Sequence, residues 1–302
     1  MINSMINSMI NSTTKRARRA VLTTAVAGMV GMAGMAGPAW AAGATTVTVD
    51  QTSLGSSWTL TADNSASGAF VAGPPTAPAG SGSFEFTIPD NGKVTLSTET
   101  AAGQMLSDVE AVSYATYRAG TSTMPGNTAP SVNMEVCTGG LSPSGCTGYT
   151  TLVWEPVYAY GTTANVNNPI VNDTWQTWNA LGRTSTSYTG GWWSTRTIPG
   201  LTAAGSYVSL AEIQRANPKA AILSFGVNVG HGPSGTFRGN VDALTLGLKG
   251  GSTTVYDFEH AVILTGKDEC KDRGWMTSTS PSFRNQGDCV SSFASAGKAH
   301  KG

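Results

Sequence analysis

Ser83-Phe-Glu-Phe-Thr-Ile-Pro-Asp-Asn-Gly-Lys-Val-Thr-Leu-Ser97 is the stretch on which the fold turns. Phe84, Phe86 and Ile88 alternate with Ser83, Glu85 and Thr87, and the alternation resumes at Val94 and Leu96. A period of two sends alternate side chains to opposite faces of an extended strand, so one row is apolar and the other polar. Asp90-Asn-Gly92 interrupts the pattern with a tight turn, so the stretch predicts two strands joined at that point.

The same alternation recurs on both sides. Thr46-Val-Thr-Val-Asp50 and Trp58-Thr-Leu-Thr61 precede it, followed by a loop rich in Gly and Pro, Gly73-Pro-Pro-Thr-Ala-Pro-Ala-Gly80. Further strands are expected at Ala111–Arg118, Val132–Cys137, Thr150–Tyr160, Thr174–Leu181, Ala221–Val229, Asn240–Leu248 and Val255–Glu259. About ten short strands at this spacing predict an all-β chain, two antiparallel sheets packed as a β-sandwich. Only 12% of residues are charged, and Gly, Ser and Thr are abundant. One short crossover helix interrupts the strands: Ser209-Leu-Ala-Glu212 is a capping box, Leu210 and Ile213 form an apolar side, and Pro218 ends it.

The N-terminal segment reads as an address. Lys15, Arg16, Arg18 and Arg19 precede an apolar run from Ala20 to Ala36, and Ala39-Trp-Ala41 has the small-x-small pattern of a cleavage site. Residues 1–41 are therefore expected to be a signal peptide, for general or twin-arginine export, because a membrane span needs about 20 strongly apolar residues. The expected division is then 1–41 signal peptide, 42–265 β-sandwich and 266–302 a small C-terminal element. The whole chain has 18 basic and 18 acidic residues, and removing four basic residues with the signal leaves −4. That balance offers no footprint for nucleic acid. No second long apolar stretch follows, so an extracellular protein with no membrane span after signal removal is expected.

Export makes oxidised cysteines the expectation. Cys137 and Cys146 bracket a loop between two expected strands, and Cys270 and Cys289 bracket a segment containing Trp275 and Phe283. Neighbour pairing gives two disulfides, the second stapling the C-terminal element. Neither pair has C-x-x-C spacing, which disfavours a metal centre.

The stretch from Thr174-Trp-Gln-Thr-Trp178 through Trp192-Trp-Ser-Thr-Arg196 to Gly239-Asn-Val-Asp-Ala-Leu244 resembles a group of uncharacterised secreted bacterial proteins. Its ending, Asp268-Glu-Cys270, Gly274-Trp275 and Asn285-Gln-Gly-Asp-Cys-Val290, is similar to a C-terminal element that recurs among them. Gly80-Ser-Gly-Ser-Phe-Glu-Phe86, Val241-Asp-Ala-Leu-Thr245 and Val255-Tyr-Asp-Phe-Glu259 resemble galactose-binding-type jelly rolls, sandwiches that serve widely as carbohydrate-binding modules. That resemblance implies a jelly roll and, near the chain ends, one structural calcium, for which Asp50, Asp242 and Glu259 are the candidates.

Three kinds of candidate site follow. In the expected strand ending at Tyr160, Trp154, Tyr158 and Tyr160 share one face, and Val153, Glu155 and Val157 the other. Exposed aromatic rings stack on the apolar C–H faces of sugars, whereas buried ones fill the core; Trp154 is read as core ahead of ligand surface. Trp192 and Trp193 are adjacent and must point to opposite faces, as one of Trp175 and Trp178 must be buried and the other not. The ligand-binding candidates are Trp154, Tyr158, Trp178 and Trp193. Glu155 is the weak catalytic candidate, with burial beside Arg118 as the alternative. No G-x-S-x-G or H-E-x-x-H pattern accompanies His231, His260 or His300, and no phosphate-cradling loop follows a strand. A non-catalytic binding module for polysaccharide or another cell-envelope component is the leading expectation. A structural or interaction protein of the cell surface comes second, and a glycan-active enzyme using a Glu/Asp pair third.

Overall fold

The computed structural model describes residues 43–143, 145–158, 170–181, 191–202, 207–232, 234–251 and 253–296. The expected signal segment and Tyr160 lie outside them. In chain order the strands are β1 (Thr45–Val49), β2 (Trp58–Asp63), β3 (Ser67–Ala72), β4 (Gly82–Ile88), β5 (Lys93–Thr98), β6 (Val109–Arg118), β7 (Ser131–Cys137), β8 (Leu141–Ser142), β9 (Gly145–Cys146), β10 (Tyr149–Trp154), β11 (Trp175–Asn179), β12 (Trp192–Ser194), β13 (Ala221–Gly230), β14 (Phe237–Leu248) and β15 (Thr253–Phe258). Helices α1 (Leu210–Ala216) and α2 (Gln286–Ala296) complete the elements. The chain is an all-β sandwich. One sheet runs β1-β15-β14-β4-β3, with β6 alongside β14 and β11 alongside β6; the other runs β12-β10-β7-β13-β5-β2.

The stretch from Ser83 to Ser97 belongs to both sheets. β4 pairs with β3 and β14, and β5 pairs with β2 and β13. The turn between them is tight: Gly92 N–H donates to Pro89 O at 2.9 Å, and Asn91 is left-handed with φ 60°. It is an arch across the core, because its two strands never pair. Phe84, Phe86 and Ile88 are buried from one side, Val94 and Leu96 from the other. A hairpin and an arch bury the same alternation, so the pattern alone does not separate them.

Strand β14 explains how seven strands share one sheet. Phe237 to Val241 pair with β4, and Leu244 to Gly247 pair with β15 on the same edge. A bulge at the exchange puts Ala243 in the left-handed region (φ 55°). One pair departs from the antiparallel expectation: β1 lies parallel to β15, with Thr45 opposite Thr254 and Val49 opposite Phe258.

Aromatic rings fill the space between the sheets. Trp58 meets Tyr256 and Phe258 edge-on at 5.1 and 5.4 Å, and Phe84 meets Phe86 at 5.1 Å. Farther along, Trp154 lies 5.9 Å from Tyr114 and 6.4 Å from Trp178. Such pairs add about 0.5–1.5 kcal/mol each beyond the area they bury. Strand β10 stops at Trp154 where an extended strand to Tyr160 was expected, and Pro156–Tyr158 is a 3-10 turn. Proline cannot donate to a ladder, so the strand ends before it.

The crossover helix has its capping box: Ser209 Oγ accepts from Glu212 N–H, and Glu212 Oε2 accepts from Ser209 N–H at 2.9 Å. Both expected disulfides are formed, Cys137–Cys146 and Cys270–Cys289. Helix α2 was not among the expected elements; its first turn is capped by Asn285 Oδ1 accepting from Asp288 N–H at 2.8 Å. Among the described residues no helix is long and apolar enough to cross a membrane.

Phe84 has no exposed surface and touches three other rings. Phe84→Ala is expected to cost about 3–5 kcal/mol in urea unfolding, the range for emptying a buried aromatic site. A loss under about 1 kcal/mol would contradict its place at the centre of the core.

Candidate functional site

The six-stranded sheet has two faces, and alternation decides what each carries. In β7, Val132, Met134 and Val136 are fully buried, so Ser131, Asn133 and Glu135 point outward. In β13, Val227 and Val229 are buried, and Gly226, Asn228 and Gly230 face outward. Register then assembles rows across the strands. Trp193 of β12 lies opposite Val153, Val153 opposite Asn133, Asn133 opposite Gly226, and Gly226 opposite Ser97. A second row runs from Ser131 through Asn228 to Thr95, and a third joins Thr151, Glu135 and Ser224. These residues line one groove of about 460 Å3, with Glu155 and Tyr158 also on it and Lys93, His231 and Gly232 contributing from β5 and the loop after β13.

Gly226 keeps the floor low. A Cβ there would lie 2.6 Å from Ser97 Cα, too close for any larger side chain without moving the β5 backbone. The polar groups are held in place before any ligand arrives. Tyr149 and Ser224 hydroxyls donate to the two Glu135 oxygens at 2.6 and 2.9 Å. Asn228 Nδ2 donates to Thr95 Oγ1 at 2.9 Å, and Ser131 Oγ to Asn133 Oδ1 at 3.0 Å. Trp193 Nε1 donates to Glu155 Oε2 at 2.8 Å. Burial pushes the Glu155 carboxyl up from the ordinary range, and the Trp193 N–H opposes part of that rise. At one corner Tyr158 stacks on Tyr207, with centroids 4.1 Å apart and planes at 26°.

The expected ligand residues divide between groove and core. Trp193 and Tyr158 line the groove, as does Glu155. Trp154 and Trp178 are 1% and 6% exposed and fill the core, leaving no face on which a sugar could stack. Trp178 spends its N–H on Thr116 Oγ1 at 2.8 Å. Arg118 is not the partner of Glu155: its guanidinium donates to Asn172 Oδ1 at 2.6 Å and to the Met124 carbonyl at 2.6 Å. Asn133, Glu135, Asn228 and Thr95 were not foreseen. Their signal was present, since each is a polar residue between two buried apolar ones, but that pattern is shared by every solvated strand face.

Glu135 and Glu155 are the two carboxylates of the groove, and their spacing bears on hydrolysis. Glu135 sits opposite Thr151, four residues before Glu155. Glu155 follows the end of β10 at Trp154, and hydrolysis needs paired carboxyl groups about 5–10 Å apart across a cleft. Tyr149, opposite Cys137, also draws Glu135 away from Glu155.

The calcium candidates are placed differently. Asp50 caps a 3-10 turn, its Oδ1 accepting from Thr52 N–H at 2.8 Å. Asp242, at the β14 exchange, accepts from Phe258 N–H at 3.0 Å and Ala79 N–H at 2.8 Å, so it staples β15 and the loop between β3 and β4 to the bulge. Glu259 accepts from the Ser81 backbone and hydroxyl. Asp257 lies beside it, 9% exposed, and its Oδ1 is buried with no donor among the described residues. Gly80 covers these two carboxyls, in space that any side chain at that position would fill. Among the described residues no group of three acidic, histidine or cysteine side chains is arranged to hold a metal. The oxygen-only chemistry of Asp257 and Glu259 fits a hard cation, with Glu259 already anchored by Ser81; both oxygens of Asp242 hold backbone N–H groups, and Asp50 caps its turn through Oδ1.

No protein-family model and no curated protein matches the chain. Among solved structures it is similar to the family 11 carbohydrate-binding module of a cellulosomal cellulase of Clostridium thermocellum. The two share 12% identity and a TM-score of 0.34 over 64% of this chain and 88% of that one. The family 11 module from the same organism in complex with a β-1,3-1,4-mixed-linked tetrasaccharide gives 14% identity and a TM-score of 0.33, covering 67% and 94%. Likeness at that level bears on neither ligand nor activity.

Burial pushes Asp242 up to about 7, and burial with the adjacent Glu259 pushes Asp257 up to about 6. Both hold protons more tightly folded than unfolded, where carboxyls titrate near about 4. Their contribution to stability is therefore full below that range and is lost as pH rises through about 7. In a chelator-containing buffer, Asp257→Asn is expected to raise the melting temperature by a few degrees at pH about 7.5 and to change little at pH about 4. Equal effects at both pH values would contradict this.

Proposed function

We propose that the chain is an extracellular, non-catalytic glycan-binding module that holds a polysaccharide along the outer face of its six-stranded sheet. The observation that carries this is the groove itself. Cross-strand rows of hydroxyls and amides run from Trp193 on β12 to Thr95 and Ser97 on β5, with positions set by internal hydrogen bonds. Hydroxyl, amide and carboxylate groups match the donors and acceptors of sugar hydroxyls, and the faces of Trp193 and Tyr158 suit apolar C–H surfaces. Two disulfides and the basic-then-apolar segment before Ala41 support export. We read residues 266–302 as a small appended element stapled by Cys270–Cys289. Met276, 62% exposed there, favours a second reading in which this element docks the protein to another surface component.

A structural calcium is proposed at Asp257 and Glu259, where it would neutralise two adjacent carboxylates. Calcium chloride is then expected to raise the melting temperature at neutral pH, and Asp257→Asn to abolish that gain. An unchanged wild-type melting curve would remove calcium from the description.

Retention on a panel of insoluble and gel-embedded polysaccharides tests the main reading. Trp193→Ala is expected to weaken retention about tenfold or more, the loss of one well-used stacking residue, with little change in melting temperature. Trp178→Ala is expected to do the converse, lowering stability by about 3–5 kcal/mol. If the wild type is retained by no glycan, or Trp193→Ala is retained equally well, the groove is not the site.

A further inference from the structure

We propose that the groove selects polysaccharides whose sugars carry free, protonated amines over neutral and acidic chains. The inference rests on the glycan-binding reading and adds the class of sugar.

Among the described residues the groove carries two carboxylates, Glu135 and Glu155, and two basic side chains, Lys93 and His231. Glu135 and Glu155 stand among neutral hydroxyls and amides, and neither is in an ion pair among the described residues. Glu135 is held by Tyr149 and Ser224 hydroxyls, which fix its carboxylate without neutralising it. Among the described residues Glu155 receives one side-chain hydrogen bond, from the Trp193 indole to Oε2. The basic side chains, Lys93 and His231, enter from β5 and the end of β13, two or more strands across the sheet from β10, and the glycines flanking His231 share a smaller pocket with Glu155. His231 Nε2 is 2.9 Å from Asp63 Oδ2, and Lys93 is the strand partner of the same Asp63.

The corner around Glu155 adds a second, different kind of recognition. Trp193 and Tyr158 border the same cavity, with Tyr158 backed by Tyr207. A carboxylate set among aromatic rings is the surrounding that favours an ammonium, which gains both charge neutralisation and attraction to the ring faces. Neutral hydroxyls gain only the hydrogen bonds, and a carboxylate or sulfate on the sugar would meet Glu155 and Glu135 at close range. Burial already raises the carboxyl of Glu155, so an ammonium placed beside it would relieve that cost and be bound more tightly for it.

The test uses three β-1,4-linked hexasaccharides with the same backbone: one of glucosamine, one of N-acetylglucosamine and one of glucose. The full chain is titrated with each in slightly acidic buffer at ionic strength about 0.05 M and about 0.5 M. The amine oligomer is expected to bind about tenfold or more tightly than either neutral one, with the gap shrinking in high salt. Glu155→Gln keeps an oxygen for its one donor, and Glu135→Gln keeps one for one of its two hydroxyls while the other can turn to accept from the new amide; both are expected to narrow the gap severalfold. Glu110→Gln, an exposed carboxylate outside the groove, controls for attraction to the acidic protein as a whole and is expected to leave it unchanged. Equal or tighter binding of the neutral oligomers, failure of the amine oligomer while another glycan binds, or a gap that survives both groove substitutions overturns the inference and leaves the glycan reading standing. Retention by no glycan of any class overturns both.

Discussion

One constraint organises this protein: each strand of the six-stranded sheet has two faces, and one must be buried against the aromatic core. Val132, Met134 and Val136 on β7, with Phe225, Val227 and Val229 on β13, meet that demand. Whatever lies between them is thereby displayed on the other side. Asn133, Glu135 and Asn228 are groove residues because their neighbours are core residues. A slip of one position in the β7–β13 register would exchange the two sets and bury a carboxylate among rings. Core and site are thus two consequences of a single alternation.

That dependence also marks what could be read in advance. Apolar periodicity gave away β4, β6, β7, β13 and β14 to within a few residues, and the capping box gave away α1. Neighbour spacing sufficed for both disulfides. The arch between β4 and β5 was not legible, because pairing is a long-range choice that identical local patterns permit either way. The parallel placement of β1 beside β15 joins residues some 200 positions apart, and helix α2 has only a faint apolar side, so neither left a strong local trace. The largest aromatic side chains were a poor guide to the site. Trp154 and Trp178 have the chemistry of a sugar platform, but a two-sheet core needs that volume more. The groove instead depends on mid-sized polar residues made adjacent only by register, Trp193 being the aromatic that alternation leaves outside.

Asp242 shows how the same logic applies at the edge of the fold. Its sequence context resembles a calcium ligand, yet its two oxygens hold the backbone where β14 changes partner from β4 to β15. A buried carboxylate satisfied by backbone N–H groups is a structural joint. It makes the exchange possible at the cost of a proton affinity that rises into the neutral range. Asp257, beside it with an oxygen that has no donor among the described residues, is where the joint is incomplete and where a proton is held more tightly. Groove and joint are separate features of one sandwich: the first uses the outer face of one sheet, the second the strand ends of the other.

The most direct test of the central claim is a residue-by-residue map of amide and indole N–H chemical shifts while a retained oligosaccharide is titrated in. The account predicts that the Trp193 indole resonance moves, together with backbone amides around Asn133, Glu135, Gly226 and Asn228. The indoles of Trp154 and Trp178 should stay nearly fixed. Shifts centred on β6, β11 and the outer face of the seven-stranded sheet, with Trp193 unmoved, would place the ligand on the opposite side of the sandwich and contradict the account.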